Sequence, residues 1–200
     1  MTMLRSSHVG LAMSLAGVVT AAPTSLPAQN SRTAIEAQYR RLAEAIRRND
    51  VEGILAVQAP AFSSNNPTGT FDFAAMERYT RRMVAAVDSV IHIRNVIRSF
   101  DERGDTSVAD VCQEFSRIQR LGDGGRHRID TSVLQRESWV HLTDGWKRFH
   151  VTNEHGMRWF VDGVRVDPSR PCTPGVATYV PEPDPPTGCG LREGGSPGTA

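Results

Sequence analysis

Apolar residues in this chain keep a helical period up to about residue 88 and a strand period after it. That single change constrains the fold more than any other feature. A period of 3.6 marks a helix with one buried stripe, and a period of 2 marks a strand with one buried face. Helices followed by a run of antiparallel strands make an α+β order, with the helices gathered against one sheet. No repeat of solenoid length is visible.

In the helical part, Thr33-Ala34-Ile35-Glu36 has the spacing of a capping box, which predicts a helix start at Thr33. Ile35, Tyr39, Leu42 and Ile46 then fall on one face. Asn49-Asp50 ends this helix. Asp50 is placed to cap a second helix, Val51 to Gln58, stopped by Pro60. Ala61 to Phe71 reads as a loop or short strand around Asn65-Asn66-Pro67-Thr68-Gly69. Asp72 caps a third helix, with Phe73, Met76, Thr80, Met83, Val84 and Val87 on one face.

The strand part divides at its turn signals. Ser89 to Phe100 is followed by a turn over Asp101 to Asp105. Thr106 to Arg120 ends at Gly122-Asp123-Gly124-Gly125. His127 to Leu142 is a long strand, and Asp144-Gly145 is a strong hairpin signal. Trp146 to Asn153 returns from it. Trp159-Phe160-Val161 and Val164-Arg165-Val166 form a last small hairpin about Asp162-Gly163.

The two ends differ from this middle. Arg5 and His8 precede the apolar run Val9 to Ala22, and small residues lead to Leu26-Pro27-Ala28. A basic start, a short apolar centre and a small-residue exit describe a secretory signal peptide over 1–28, cleaved after Ala28. The run is too short for a comfortable membrane span. Pro and Gly crowd residues 168–200, which read as a disordered tail. The domain proper is then 29–167. Cys172 and Cys189 flank a Pro/Gly-rich stretch and are placed to close a small loop in an oxidising compartment. Cys112, inside a strand, reads as a buried thiol.

Composition removes several functions. Hydrophobic residues are 39% and charged residues 22% of the chain, which excludes a fully disordered chain and a coiled coil. With 23 Lys+Arg against 22 Asp+Glu, no basic field exists to hold nucleic acid or an anionic membrane. No cysteine pair has metal-ligand spacing, no Gly-rich phosphate loop exists, and no serine sits in a nucleophile elbow. No metal or cofactor is implied.

The order helix, short helix, Asn66-Pro67-Thr68-Gly69 loop, helix and curved meander resembles the nuclear transport factor 2-like superfamily over about Thr33 to Val166. Arg136-Glu137-Ser138-Trp139-Val140, Asp144-Gly145-Trp146-Lys147 and Val161-Asp162-Gly163 look like its exported bacterial members of unassigned activity. The resemblance implies three N-terminal helices packed on a strongly curved antiparallel sheet of four or more strands, a cone with a pocket inside. The same fold hosts ketosteroid isomerases and the SnoaL-like polyketide cyclases. The isomerases carry their general base in an Asp-Pro-x-Gly loop. Here Asn66 stands in that place, and an amide takes no proton near neutral pH. Their oxyanion-holding Tyr on the first helix matches Ala43, with Tyr39 one turn too early. An acid on the long strand matches Glu137.

Glu137, Trp139 and His141 alternate on one face of the long strand. If that face lines the cone, Glu137 and Trp139 meet a ligand's polar group and ring. The plainer alternative makes Trp139 core and pairs Glu137 with an arginine. His92 and His150, in other strands, join Glu137 as acid/base candidates. The leading reading is a small-molecule-binding domain with a pocket lined by Tyr39, Asn66, Tyr79, His92, Glu137, Trp139 and His150, taking a largely apolar molecule. Two readings stay open beside it. One is an isomerase- or cyclase-type enzyme using Glu137 or a histidine. The other is a dimerising interaction module with a filled cavity. An open or a plugged cone separates them. Export has its own check: mass spectrometry of the secreted protein is expected to find a chain starting at Gln29, and Met1 retained on a membrane-bound product would contradict it.

Overall fold

The computed structural model describes residues 28–66 and 69–166, without the side chains of 28–30, 66 and 153–157. Segments 1–27 and 167–200, with the signal peptide and tail readings, lie outside the described residues.

The stripe Ile35, Tyr39, Leu42, Ile46 is the buried face of α1 (Ala28–Arg47). Its helix starts before Thr33, so the capping-box reading does not hold. Arg32 pairs with Glu36 one turn on, at 3.1 Å, and the buried Ser31 hydroxyl donates to Glu102 at 2.8 Å. These contacts sit in the turn that the sequence signal would have left outside the helix. Asn49, at φ 55°, breaks α1. Asp50 then caps α2 (Val51–Leu55) by accepting from the Gly53 N–H at 2.9 Å.

α2 is shorter than predicted because β1 (Gln58–Asn66) starts before Pro60. The proline falls where the register of β1 against its neighbour breaks, between Gln58 and Ser63, the kind of place where a missing N–H is tolerated. β2 (Gly69–Asp72) pairs back on β1, so the stretch read as a loop or short strand is largely a two-stranded hairpin. Asp72 caps α3 (Phe73–Ala86) through the Ala75 N–H at 2.7 Å, as predicted.

The long strands follow: β3 (Val87–Arg103), β4 (Thr106–Arg120), β5 (Arg126–Leu142), β6 (Gly145–Val161) and the short β7 (Val164–Val166). β3 extends through the expected turn as far as Arg103, leaving Gly104 (φ 66°) to make the turn. β6 is one strand where two were expected. Asp162 and Gly163, both at positive φ, form the tight turn into β7.

The sheet runs β2-β1-β6-β5-β4-β3, with β7 on β6. It is mixed rather than antiparallel throughout, because β1 runs parallel to β6. β4 and β5 pair without interruption, whereas the β3–β4 and β5–β6 pairings each shift register three times. Such bulges bend strands and increase twist. The helices lie within the resulting curl. Ile35, Leu42 and Ile46 of α1 and Ile54 of α2 join Ile93, Ile97, Val111, Trp139 and Trp146, with Val84 of α3 against them.

Cys112 is disulfide-bonded, not the free buried thiol its strand context suggests. The chain has three cysteines. The expected loop between Cys172 and Cys189 lies outside the described residues.

His127, at the start of β5, ties two turns together. Its ring nitrogens lie 2.7 Å from Asp162 and 3.0 Å from Asp123. The bonds to Asp162, and then to Asp123, raise the imidazole pKa. Asp162 is lowered chiefly by His127, and Asp123 chiefly by the Gly125 N–H and then His127. A raised histidine stabilises fully below its unfolded value of about 6.5 and loses that as pH rises through the folded value. The lowered carboxylates stabilise above about 3.9 and lose it as pH falls. The contribution is complete between those limits. The melting-temperature advantage of the wild type over His127→Asn is expected to be largest near pH 5 and to shrink towards pH 9. An advantage growing with pH would contradict the assignment.

Candidate functional site

Period-2 alternation on β5 puts Gln135, Glu137 and Trp139 on the concave face of the sheet, beneath α1. Glu137 is 0% exposed. Its Oε2 accepts from the Tyr39 hydroxyl at 2.5 Å and from the Trp139 indole N–H at 3.0 Å. Its Oε1 accepts from the Arg148 guanidinium at 2.8 Å and from the Gln135 amide. A carboxylate offers about four lone-pair sites, and four protein donors occupy them. Arg148 also donates to Gln58 at 3.0 Å, which joins β1 to the group. The Tyr39 ring meets Trp139 edge-on at 5.4 Å. Burial, and then the Glu137 carboxylate, hold the Tyr39 hydroxyl well above its ordinary pKa, so its proton stays in place to donate.

Three sequence candidates, Tyr39, Glu137 and Trp139, therefore meet at one point. The plainer alternative describes them: Trp139 is core and Glu137 pairs with an arginine. The other candidates lie elsewhere. Tyr79 is 48% exposed on α3. His92 sits opposite Ser116 and His150 opposite Ser138. Both serines are on the convex face, so the two histidines point away from Glu137. His92 lies 3.4 Å from Glu114, and His150 is 2.7 Å from the Ser63 hydroxyl. The expectation that they approach the same cavity is corrected by this register. Asn66 ends β1 with its backbone paired to Gly69, and its side chain is not described.

Gln135 and Arg148 were not singled out from the sequence. Gln135 was legible, two positions before Glu137 on the same strand face. Arg148 was not. β6 carries one extra residue between the pairs Ser138↔His150 and Trp139↔Arg148. Without that bulge Arg148 would lie opposite Val140 and point outward. The bulge turns it onto Glu137.

Two cavities among the described residues lie beside this group and contain neither Glu137 nor Trp139. The larger, about 580 Å³, is a groove between α1 and β3 with Tyr39 at its base. The smaller, about 260 Å³, lies among α1, α2 and Lys147.

No family model matches the chain, and no curated protein matches its sequence. Solved structures do match. A conserved protein from Planctomyces limnophilus is 12% identical with a TM-score of 0.55, over 62% of this chain and 95% of that one. Protein Kfla4162 from Kribbella flavida is 14% identical with a TM-score of 0.54, over 64% and 93%. A nuclear transport factor 2-like superfamily protein from Salmonella enterica is 15% identical over 76% of this chain and 99% of that one, at a TM-score of 0.49. The chain has the nuclear transport factor 2-like α+β cone fold, with no activity assigned by it.

The four-donor group makes a stability prediction. Tyr39→Phe removes one hydrogen bond to a charged group and is expected to cost about 1.5–3 kcal/mol. Arg148→Ala leaves a buried carboxylate without its cation and is expected to cost about 3–5 kcal/mol. Urea unfolding measures both. A Tyr39→Phe loss below about 0.5 kcal/mol would show that the hydroxyl adds nothing.

Proposed function

We propose that this protein is an exported small-molecule-binding domain whose ligand, a small amphipathic anion, lies in the groove between α1 and β3. The groove's make-up carries the reading. Buried Tyr39, Ile93 and Ile97, with Ala43, form an apolar base. Arg40, Arg47 and Arg94 line the exposed rim without an ion-pair partner among the described residues. Arg32 and Glu36 there neutralise each other, and Glu44 leaves a net positive rim. Its volume of about 580 Å³ is that of a small-molecule site.

An apolar base under spare guanidinium groups suits a short hydrocarbon or aromatic body with a carboxylate head. This moves the binding site from the cone's centre to its flank and narrows the ligand from largely apolar to amphipathic. Acid/base chemistry at Glu137 gains no support, since a substrate proton would have to displace a protein donor there. Export is supported by the segment Arg5 to Ala28 and by the disulfide at Cys112, which suits an oxidising compartment.

Calorimetric titration with decanoate and with uncharged decanol tests the reading. Decanoate is expected to bind at least tenfold more tightly, with affinity falling as salt rises. Arg94→Ala is expected to weaken it about two- to fivefold, the worth of an exposed ion pair. Ala43→Trp, which fills the base, is expected to abolish it. Equal binding of acid and alcohol, or binding indifferent to Ala43→Trp, would reject the groove as the site.

A further inference from the structure

We propose that the smaller cavity, on the other flank of α1 from the groove, is a second binding site, for a small hydroxylated carboxylic acid of the sugar-acid class. Its α1 wall is Gln38, Arg41, Ala45 and Arg48. These sit at i, i+3, i+7 and i+10, one stripe of a helix. The groove takes a different stripe, Glu36, Arg40, Ala43 and Arg47. α1 therefore stands between two separate spaces, with Glu44 on the ridge that borders both. Nothing in the second site depends on what fills the groove.

Gln38 points to a ligand. It is 8% exposed, yet among the described residues its side chain makes no hydrogen bond. A buried amide without partners carries its full desolvation cost, and buried polar groups are as a rule paired. An aliphatic side chain at this position would avoid that cost, as Ile35 and Leu42 do one turn to either side. The Gln38 amide nitrogen lies 3.9 Å from where a Cβ on Gly145 would stand. That places the amide at the inner end of the cavity, by the turn between β5 and β6.

The chemistry of the wall selects the ligand. An amide both donates and accepts, and a hydroxyl answers both, whereas an ionised phosphate or carboxylate leaves the Gln38 carbonyl unmet. On the β6 side, the Lys147 ammonium donates to the Ala56 carbonyl at 2.7 Å and lies 3.0 Å from Asp144. Its third N–H is left for another acceptor. At the rim, Arg41 and Arg48 are exposed and have no ion-pair partner among the described residues. These three cations face two acids, Glu44 and the Asp144 that Lys147 meets, so one positive charge is spare for a single carboxylate. A guanidinium fork takes a carboxylate through two parallel hydrogen bonds. The rest of the lining is small, and α2 presses close on α1, since a Cβ on Gly53 would stand 2.9 Å from that of Ala45. The volume of about 260 Å³ lies below that of drug-sized sites and suits a molecule of about six carbons. Hydroxyls then meet Gln38 at the buried end, and the carboxylate meets the arginines at the rim.

Calorimetric titration of Ala43→Trp, whose groove is filled, compares three six-carbon probes: gluconate, uncharged sorbitol, and hexanoate, which lacks the hydroxyls. Gluconate is expected to bind at least tenfold more tightly than either, and as tightly as it binds the wild type. In the wild type, decanoate is expected not to compete with gluconate, which separates the two sites even if Ala43→Trp does not fold. Gln38→Leu is expected to weaken gluconate at least tenfold, with a melting temperature no lower than the wild type's, because the amide gives up no protein partner. Arg48→Ala, on the surface, is expected to weaken it two- to fivefold, about the worth of an exposed ion pair, and serves should Gln38→Leu not fold. No saturable gluconate binding, sorbitol or hexanoate equal to gluconate in Ala43→Trp, or gluconate displaced by decanoate would overturn the proposal. So would gluconate affinity unchanged in both Gln38→Leu and Arg48→Ala. A lower melting temperature in Gln38→Leu would show that the amide already has a protein partner, and would overturn it too.

Discussion

One buried carboxylate organises this fold. Burying an ion costs several kcal/mol unless geometry is good and every lone pair is met. Glu137 meets that condition with donors from three elements: Tyr39 of α1, Gln135 and Trp139 of β5, and Arg148 of β6. Arg148 carries the connection on to Gln58 of β1. The helix layer, the centre of the sheet and its parallel edge are thereby referred to one point. An apolar side chain at Glu137 would leave Arg148 without its acid and the buried Tyr39 hydroxyl without an acceptor, so the group holds as a unit.

The same group fills the space between α1 and the centre of the sheet, where four donors surround their acceptor. Space remains on the flank, where α1 runs over β3. Ala43 keeps that space open, being too small to close it.

The two faces of the sheet are held differently. The concave face is closed by three helices. Among the described residues the convex face carries ion pairs such as Asp110–Arg136 at 2.9 Å, beside buried Ser116, Asp130, Ser132, Arg158 and Phe160. A long single-layer sheet with an open convex face invites pairing with another chain.

By itself the sequence determined the α+β order, the buried stripe of α1, the Asp50 and Asp72 caps, the tight turns at Asp144-Gly145 and Asp162-Gly163, and the meeting of Glu137 with Trp139. These follow from local period and turn chemistry, which act over a few residues. The tertiary structure alone decided four things. β1 runs parallel to β6, with Pro60 inside a strand. A single extra residue in β6 turns Arg148 from the outer face to Glu137. His92 and His150 fall on the outer face through registers that their own strands do not encode. Cys112 is bonded rather than free. Each depends on which strand lies beside which, and in what register. A shift of one residue moves every side chain of a strand to the other face, so no reading of isolated segments reaches them.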